Sequence, residues 1–233
     1  LLILQAGNVN TGAFDAFTSV CSGAKDAWGW IHVDGAFGLL AAAAPKLRHL
    51  TEGMDLADSW SADGHKTLNT PYDCGVILCR DRGALIGAMH AGGSYLPRSD
   101  QRDGMVYGPD MSRRARSVEL WSTLKYLGRS GVVDLVDGLH ERAVQFSDEL
   151  SEQGFRVLND VVFNQVLIAG ETPEQTERVL TRIQGGRVLW CGGTTWKDEP
   201  AIRVSVCSWA TTEADVRTCV AAFAEARDAS FRV

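Results

Sequence analysis

Three short polar stretches in the first third of the chain carry side chains able to do chemistry. They are Gly7-Asn8-Val9-Asn10-Thr11-Gly12, His32-Val33-Asp34-Gly35-Ala36 and Ser61-Ala62-Asp63-Gly64-His65-Lys66. Together they offer a carboxylate, a lysine and hydrogen-bonding amides. A lysine amine can form a Schiff base with an aldehyde, and a nearby aspartate can keep a pyridine nitrogen protonated. These are the two contributions that a protein makes to pyridoxal phosphate chemistry. Both groups must reach one crevice, and in open α/β sheets that crevice lies beyond the carboxyl ends of the strands.

The elements ahead of each stretch should therefore be strands. Residues 1–4 are an apolar run ended by Gly7-Asn8, which suits a strand buried on both faces. A helix is expected over about 14–28, with Phe14, Phe17 and Val20 on one stripe and Gly29 at its end. Residues 30–33 read as a second strand, 37–49 as a small helical stretch, and 57–62 and 75–79 as further strands. Such alternation implies parallel βαβ units. The texture changes later in the chain: a helix over 112–127 is followed by Gly128 and Gly131, then by a long amphipathic helix over 132–153. Strands near 155–158, 166–168, 188–191 and 202–207 alternate with helices over 173–184 and 212–229. Thr211 or Thr212 caps the last helix, and Glu213 and Asp215 favour the positive end of its dipole. The expected division is an α/β part over 1–127 and a smaller α+β domain over 128–233.

Composition narrows the setting. The 233 residues are 45% hydrophobic and carry 23 basic against 29 acidic side chains, a net charge of −6, so no basic field recruits nucleic acid. No apolar run approaches the ~20 residues of a membrane helix. Six cysteines form no C-x-x-C pair and read as reduced, mostly buried thiols, which suits the cytoplasm. The seven tryptophans are most simply core and interface residues, with burial the default for Trp121. The run Arg113-Arg114-Ala115-Arg116 is too short for a nucleic-acid patch and reads better as a helix-start cluster and a dimer contact.

The polar stretches, taken in order, resemble the pyridoxal-dependent decarboxylase family, which includes the aromatic-amino-acid and glutamate decarboxylases. The resemblance runs from residue 5 to about 225. It is carried by Gln5 to Asp15, by Trp30 to Ala36, by Asp63-Gly64-His65-Lys66, and by Gly92-Gly93-Ser94-Tyr95-Leu96. Ser112 to Arg116 and Ala201-Ile202-Arg203-Val204-Ser205 extend it. It implies the large cofactor-binding α/β domain of the aspartate-aminotransferase-like fold, followed by a small C-terminal α+β domain. It also implies that Lys66 holds pyridoxal 5'-phosphate as a Schiff base, that Asp34 pairs with the ring nitrogen, and that Ala36 lies against one ring face. His65 would sit beside the cofactor. Tyr95, on a Gly-flanked loop, would protonate the substrate Cα after carbon dioxide leaves. Asn8 would touch the cofactor, and Ser112 would offer an anion-binding edge. The partners implied are an amino-acid substrate and a second copy of the chain, in a homodimer with its site at the interface.

The chain also departs from the family. Val9 stands where animal aromatic decarboxylases carry threonine, and Thr67 follows the lysine where tryptophan is frequent. The resemblance places the chain as the C-terminal part of a longer enzyme, with the abrupt Leu-Leu-Ile-Leu start falling inside the cofactor domain and the segment that supplies most phosphate contacts lying upstream. The same lysine and aspartate serve transamination, aldol-type cleavage and oxidative deamination, and a non-catalytic fragment is the remaining alternative. Arg203 can hold a substrate carboxylate with its planar fork or serve as a domain-interface arginine.

Overall fold

Four strands form the first sheet: β1 (Leu2–Gln5), β2 (Ile31–Asp34), β3 (Ser59–Asp63) and β4 (Gly75–Cys79), in that spatial order. The structure is a computed structural model that describes residues 1–24, 27, 29–89 and 102–229. β1 and β2 run parallel, as do β2 and β3, and the register sets Gln5, Asp34 and Ser61 side by side. The expected parallel pattern stops there, because β4 is antiparallel to β3. Residues 64–74 turn the chain back directly, whereas a parallel return takes a crossover of about a dozen residues or more, usually a helix.

β1 is not buried on both faces. Leu4 packs with Phe17, Cys21, Ile31 and Val33, while Ile3 on the opposite face is 59% exposed. The helix expected over 14–28 shortens to α1 (Phe17–Ala24). Its start is delayed because the preceding residues are tied to the end of β1. Phe14 bridges Ala6, and the Asp15 carboxylate accepts the Gln5 amide at 2.7 Å. The stretch over 37–49 is two 3-10 helices, Gly38–Ala43 and Arg48–Thr51, with a third at Met54–Leu56. Pro45 between the first two cannot donate an amide to a continuous ladder. A helix not read from the sequence, α2 (Arg82–Met89), follows β4.

α3 (Arg116–Glu152) is one long element with a break: Gly128 has φ 62° and ψ −169°, which glycine adopts without a Cβ clash. Beyond it stand β5 (Arg156–Val157), β6 (Gln165–Ala169), α4 (Pro173–Gly185), β7 (Gly192–Trp196), β8 (Glu199–Ser205) and α5 (Glu213–Asp228). The second sheet is antiparallel throughout, in the order β5-β6-β8-β7. The strand expected over 188–191 lies at β7 instead. Lys197 and Asp198, at φ 49° and 69°, make a two-residue hairpin turn that pairs Trp196 with Glu199 and so fixes the strand's position. Trp190 is then left 76% exposed. Trp121, expected to be buried, is also exposed, on the first part of α3.

One face of the second sheet packs on helices, with Val166, Ile168, Ile202 and Val204 against Phe146, Val179, Val216 and Phe223. A further apolar cluster joins the two halves through Ala41, Ala44, Leu47, Leu68, Val132, Val136 and Phe163. The Phe163 ring stacks on Phe37 at 6.1 Å and meets Phe14 edge-on at 5.9 Å. Among the described residues no helix is long and apolar enough to cross a membrane.

The start of α5 matches the expected cap. The Thr212 hydroxyl accepts the Asp215 amide and the Asp215 carboxylate accepts the Thr212 amide, a reciprocal capping box. These bonds hold the Asp215 carboxyl below its ordinary value of 3.8. Thr212→Ala should cost about 1 kcal/mol, read by chemical denaturation. A depressed carboxyl contributes stability above its unfolded pKa and loses it as pH falls through the folded one. The gap in melting temperature between the parent and Asp215→Asn should therefore be full at neutral pH and close below 3.8. A gap independent of pH would remove the carboxylate from the cap.

Candidate active site

The parallel register does the first work of assembly. Asp34 is the last residue of β2 and pairs with Gln5 and Ser61 on either side, so its carboxyl leaves the sheet at the strand ends. One Asp34 oxygen accepts the Ala36 amide at 3.1 Å and turns the chain, leaving Ala36 beside it. β3 ends at Asp63, and Lys66 follows within the next turn, on the same side of the sheet.

That turn is packed tightly. The Gly64 amide donates to Cys74 O and the Thr70 amide to Gly64 O. A Cβ on Gly64 would lie 3.0 Å from Thr70 Oγ1 and 3.1 Å from Cys74 Sγ. Thr67, 1% exposed, donates its hydroxyl to Phe37 O at 2.7 Å and so binds the lysine turn to the Asp34 loop. Lys66 Nζ donates to the Asp63 carboxylate at 2.9 Å, with 42% of the lysine side chain still open to solvent.

Asp34, Ala36 and Lys66 converge on one cavity of about 300 Å³. Gln5, Gly7, Val9, Phe37 and Thr67 complete its wall on the side of the first sheet. The opposite wall comes from the second sheet: Asn164, Gln165, Arg203, Ser205 and Cys207. Register explains this wall, since Gln165 pairs with Ser205 and Leu167 with Arg203, so their side chains share the face turned away from the helical core. Gln165 Oε1 accepts the Ser205 hydroxyl at 2.6 Å. Arg203 Nη1 donates to Val9 O at 3.3 Å, while its buried Nε has no hydrogen-bond partner. Asn164, Gln165, Ser205 and Cys207 were not read from the sequence. Alternation along β8 marks Ser205 alone, and it does not say what the polar face meets; Asn164, Gln165 and Cys207 flank or open apolar strands with no such pattern.

Other expected site residues lie elsewhere. The His65 ring is nearly buried against Tyr72, at 4.0 Å between centroids. Its Nδ1 accepts the Cys74 amide at 3.0 Å, and its Nε2 is 3.7 Å from Asp63, so it faces Lys66 only through that carboxylate. The Asn8 amide is taken up by its own turn: Oδ1 accepts the Asn10 and Thr11 amides and Nδ2 donates to Gln5. Ser112 precedes the start of α3 by four residues, and that helix has Ala115 at its N-cap with no side-chain cap. It lines a separate groove of about 910 Å³ that contains neither Lys66 nor Asp34. Of the arginines there, Arg114 pairs with Glu119 and Arg116 with Asp73, while Arg113 reaches Gly104 O and Arg102 lies over the Tyr107 ring. Tyr95 lies outside the described residues. No group of three or more histidine, cysteine or acidic side chains able to hold a metal occurs among the described residues.

The pyridoxal-dependent decarboxylase conserved domain matches residues 2–168. This chain belongs to the pyridoxal-dependent decarboxylase family. Within that family, the aromatic-L-amino-acid decarboxylase of Cavia porcellus is 25% identical over 214 residues, covering 89% of this chain and 45% of that protein. The 4-hydroxyphenylacetaldehyde synthase of Rhodiola rosea is 28% identical over 181 residues, 76% of this chain and 37% of that protein. The solved structure of Oryza sativa TDC with PLP and tryptamine superimposes with a TM-score of 0.90 at 22% identity. It covers 98% of this chain and 50% of that one. The α/β fold is therefore that of the family. The chain spans about half the length of the curated relatives it matches.

The cavity also orders the thiols, all six of which are free. Cys207 is exposed at its wall, although partial burial raises its thiol too, whereas deeper burial, helped by nearby Cys219, pushes Cys191 up to about 12. Because the thiolate is the nucleophile, iodoacetamide at about pH 8 should label Cys207 and leave Cys191 intact until the chain unfolds. Peptide mapping reads the order, and equal labelling of both in the native chain would contradict the packing at the start of β7.

Proposed function

We propose that the cavity is the cofactor site of a pyridoxal-phosphate-dependent carboxy-lyase that removes the α-carboxylate of an amino acid. The observation that carries this reading is the convergence of Lys66, Asp34 and Ala36 on one cavity, faced by an arginine whose buried Nε has no partner. The residues fit the group. Lys66 supplies the amine that bonds the cofactor aldehyde, and Asp34 keeps the pyridine nitrogen protonated. Ala36 presents a small methyl surface to one ring face. The ring, when bound, accepts the electron pair that the Cα–carboxylate bond leaves behind.

The remaining steps belong to this chain's side chains. Lys66 leaves Asp63 and loses its proton before it can act as a nucleophile, because only the neutral amine carries the lone pair. Arg203, anchored by Val9 O, retains donors for a carboxylate and would hold the group that is to leave. Tyr95 returns the proton to Cα, a role assigned on the family resemblance. Two domains meeting near Gly128 form the two walls, and the chain acts as a homodimer. The exposed row Val118, Trp121 and Leu124 on α3 supports the dimer.

Addition of pyridoxal 5'-phosphate should produce absorbance at the edge of the visible range in the parent chain and none in Lys66→Ala. A Lys66→Ala protein that keeps the band would remove Lys66 from this role. Product analysis with aromatic, acidic and aliphatic amino acids should find amine and carbon dioxide. Arg203→Gln should raise KM for the amino acid by about tenfold or more, since a hydrogen bond to a charged group contributes roughly 1.5–3 kcal/mol. An unchanged KM would make Arg203 an interface residue only. A second reading, an aldehyde-forming reaction, is favoured by the likeness to 4-hydroxyphenylacetaldehyde synthase across 76% of the chain. Aldehyde rather than amine in the same assay selects it, and Tyr95→Phe should shift the partition between the two.

A further inference from the structure

The lysine turn and the second sheet are joined by Asn69, a residue to which neither the family resemblance nor the cavity lining draws attention. Asn69 sits three positions after Lys66 with φ 51°, in the left-handed region that asparagine tolerates better than most side chains. Its side-chain amide is fully used. Nδ2 donates to Lys66 O at 2.9 Å, Thr67 O at 3.1 Å and Cys207 O at 2.8 Å. Oδ1 accepts the Trp209 amide at 3.0 Å. Its backbone amide adds a further bond to Lys66 O, at 3.1 Å. Two N–H groups thus serve three carbonyls, two on the Lys66 turn and one on the chain that continues from β8.

The two carbonyls on the lysine side flank a residue that lines the cavity from the first sheet, and Cys207 lines it from the second. We infer that Asn69 is a positioning residue that fixes Lys66 relative to the wall bearing Arg203. The inference rests on the reading of Lys66 and Arg203 above. A lysine that must reach an aldehyde carbon, facing an arginine that must hold a carboxylate, loses reactivity when the walls separate by an ångström. A similar link joins the loop after β1 to β6 outside this cavity. Asn159 Nδ2 donates to Thr11 O and Gln165 O, and its Oδ1 accepts the Leu167 amide. Asn69 differs in acting directly on the turn that carries the nucleophile.

The test uses Asn69→Gly, which keeps the left-handed backbone and removes the side chain. Asn69→Asp is added because it keeps the acceptor for Trp209 and loses the three donor contacts. Thr212→Ala, remote from the cavity, controls for lost stability alone. Each full chain is treated with pyridoxal 5'-phosphate and borohydride, and the pyridoxyl group at Lys66 is quantified against the other lysines by peptide mapping. Both Asn69 variants should lower the Lys66 trapping rate about tenfold, the scale of one to two lost hydrogen bonds, while Thr212→Ala keeps the parent rate. A folded Asn69 variant trapped within twofold of the parent overturns the inference. Hydrogen exchange at the Trp209 amide, read on the same proteins without cofactor, separates this inference from the function it rests on. If the parent itself is not trapped at Lys66, the cofactor reading fails. The inference then stands only if Asn69→Gly speeds exchange at Trp209 and across the lysine turn and Thr212→Ala does not, and it falls if exchange is unchanged.

Discussion

A cavity walled by two separate sheets exists only while their separation is held, and the Phe163 ring is what holds it. The ring is fully buried, stacked on Phe37 and edge-on to Phe14, both from the first half of the chain. It immediately precedes Asn164 and Gln165, which line the cavity. Removing a buried phenylalanine side chain costs roughly 3–5 kcal/mol in transfer and cavity terms. That is a large fraction of the roughly 5–15 kcal/mol by which domains are stable. The polar links between the two halves are individually weaker. Apolar packing therefore brings the walls together, and the asparagine and arginine bonds decide how they sit.

Much of the first sheet could be read from residues alone, because strand ends announce themselves. Apolar runs stop at Gly7, at Asp34-Gly35 and at Asp63-Gly64, and the structure pairs the strands so that the polar stretches emerge together. Lys66, Asp34 and Ala36 meet for that reason. Periodicity could not say how one sheet would face the other. Arg203 and Ser205 alternate with buried Ile202 and Val204, a pattern equally suited to a solvated face, and the contact with Val9 joins residues remote in sequence. The antiparallel return of β4 and the place of β7 turned on connection geometry. In β7 the decisive residues were Lys197 and Asp198, whose positive φ values have no strong signature in their residue types.

Position relative to the cavity sorts the other candidate residues. His65 looks catalytic beside a lysine, yet its ring is held by the Cys74 amide and Tyr72, so its influence on Lys66 runs through Asp63. Asn8 shapes the loop whose neighbour Val9 gives Arg203 a carbonyl. In the lysine segment the chemistry-bearing group is the exposed one, and its neighbours are fixed.

Gly7 shows how far this coupling extends. At φ 95° it follows β1, and a Cβ there would approach the Phe37 ring to 2.7 Å. Phe37 in turn bears the Phe163 ring. A loop glycine, a ring in the first half and a ring in the second thus share one volume, and a change in any of them must be answered by the other two. Among relatives that keep this cavity, the three positions should vary as a set. Their joint identity would record the spacing between the walls even in sequences whose remaining cavity residues have diverged.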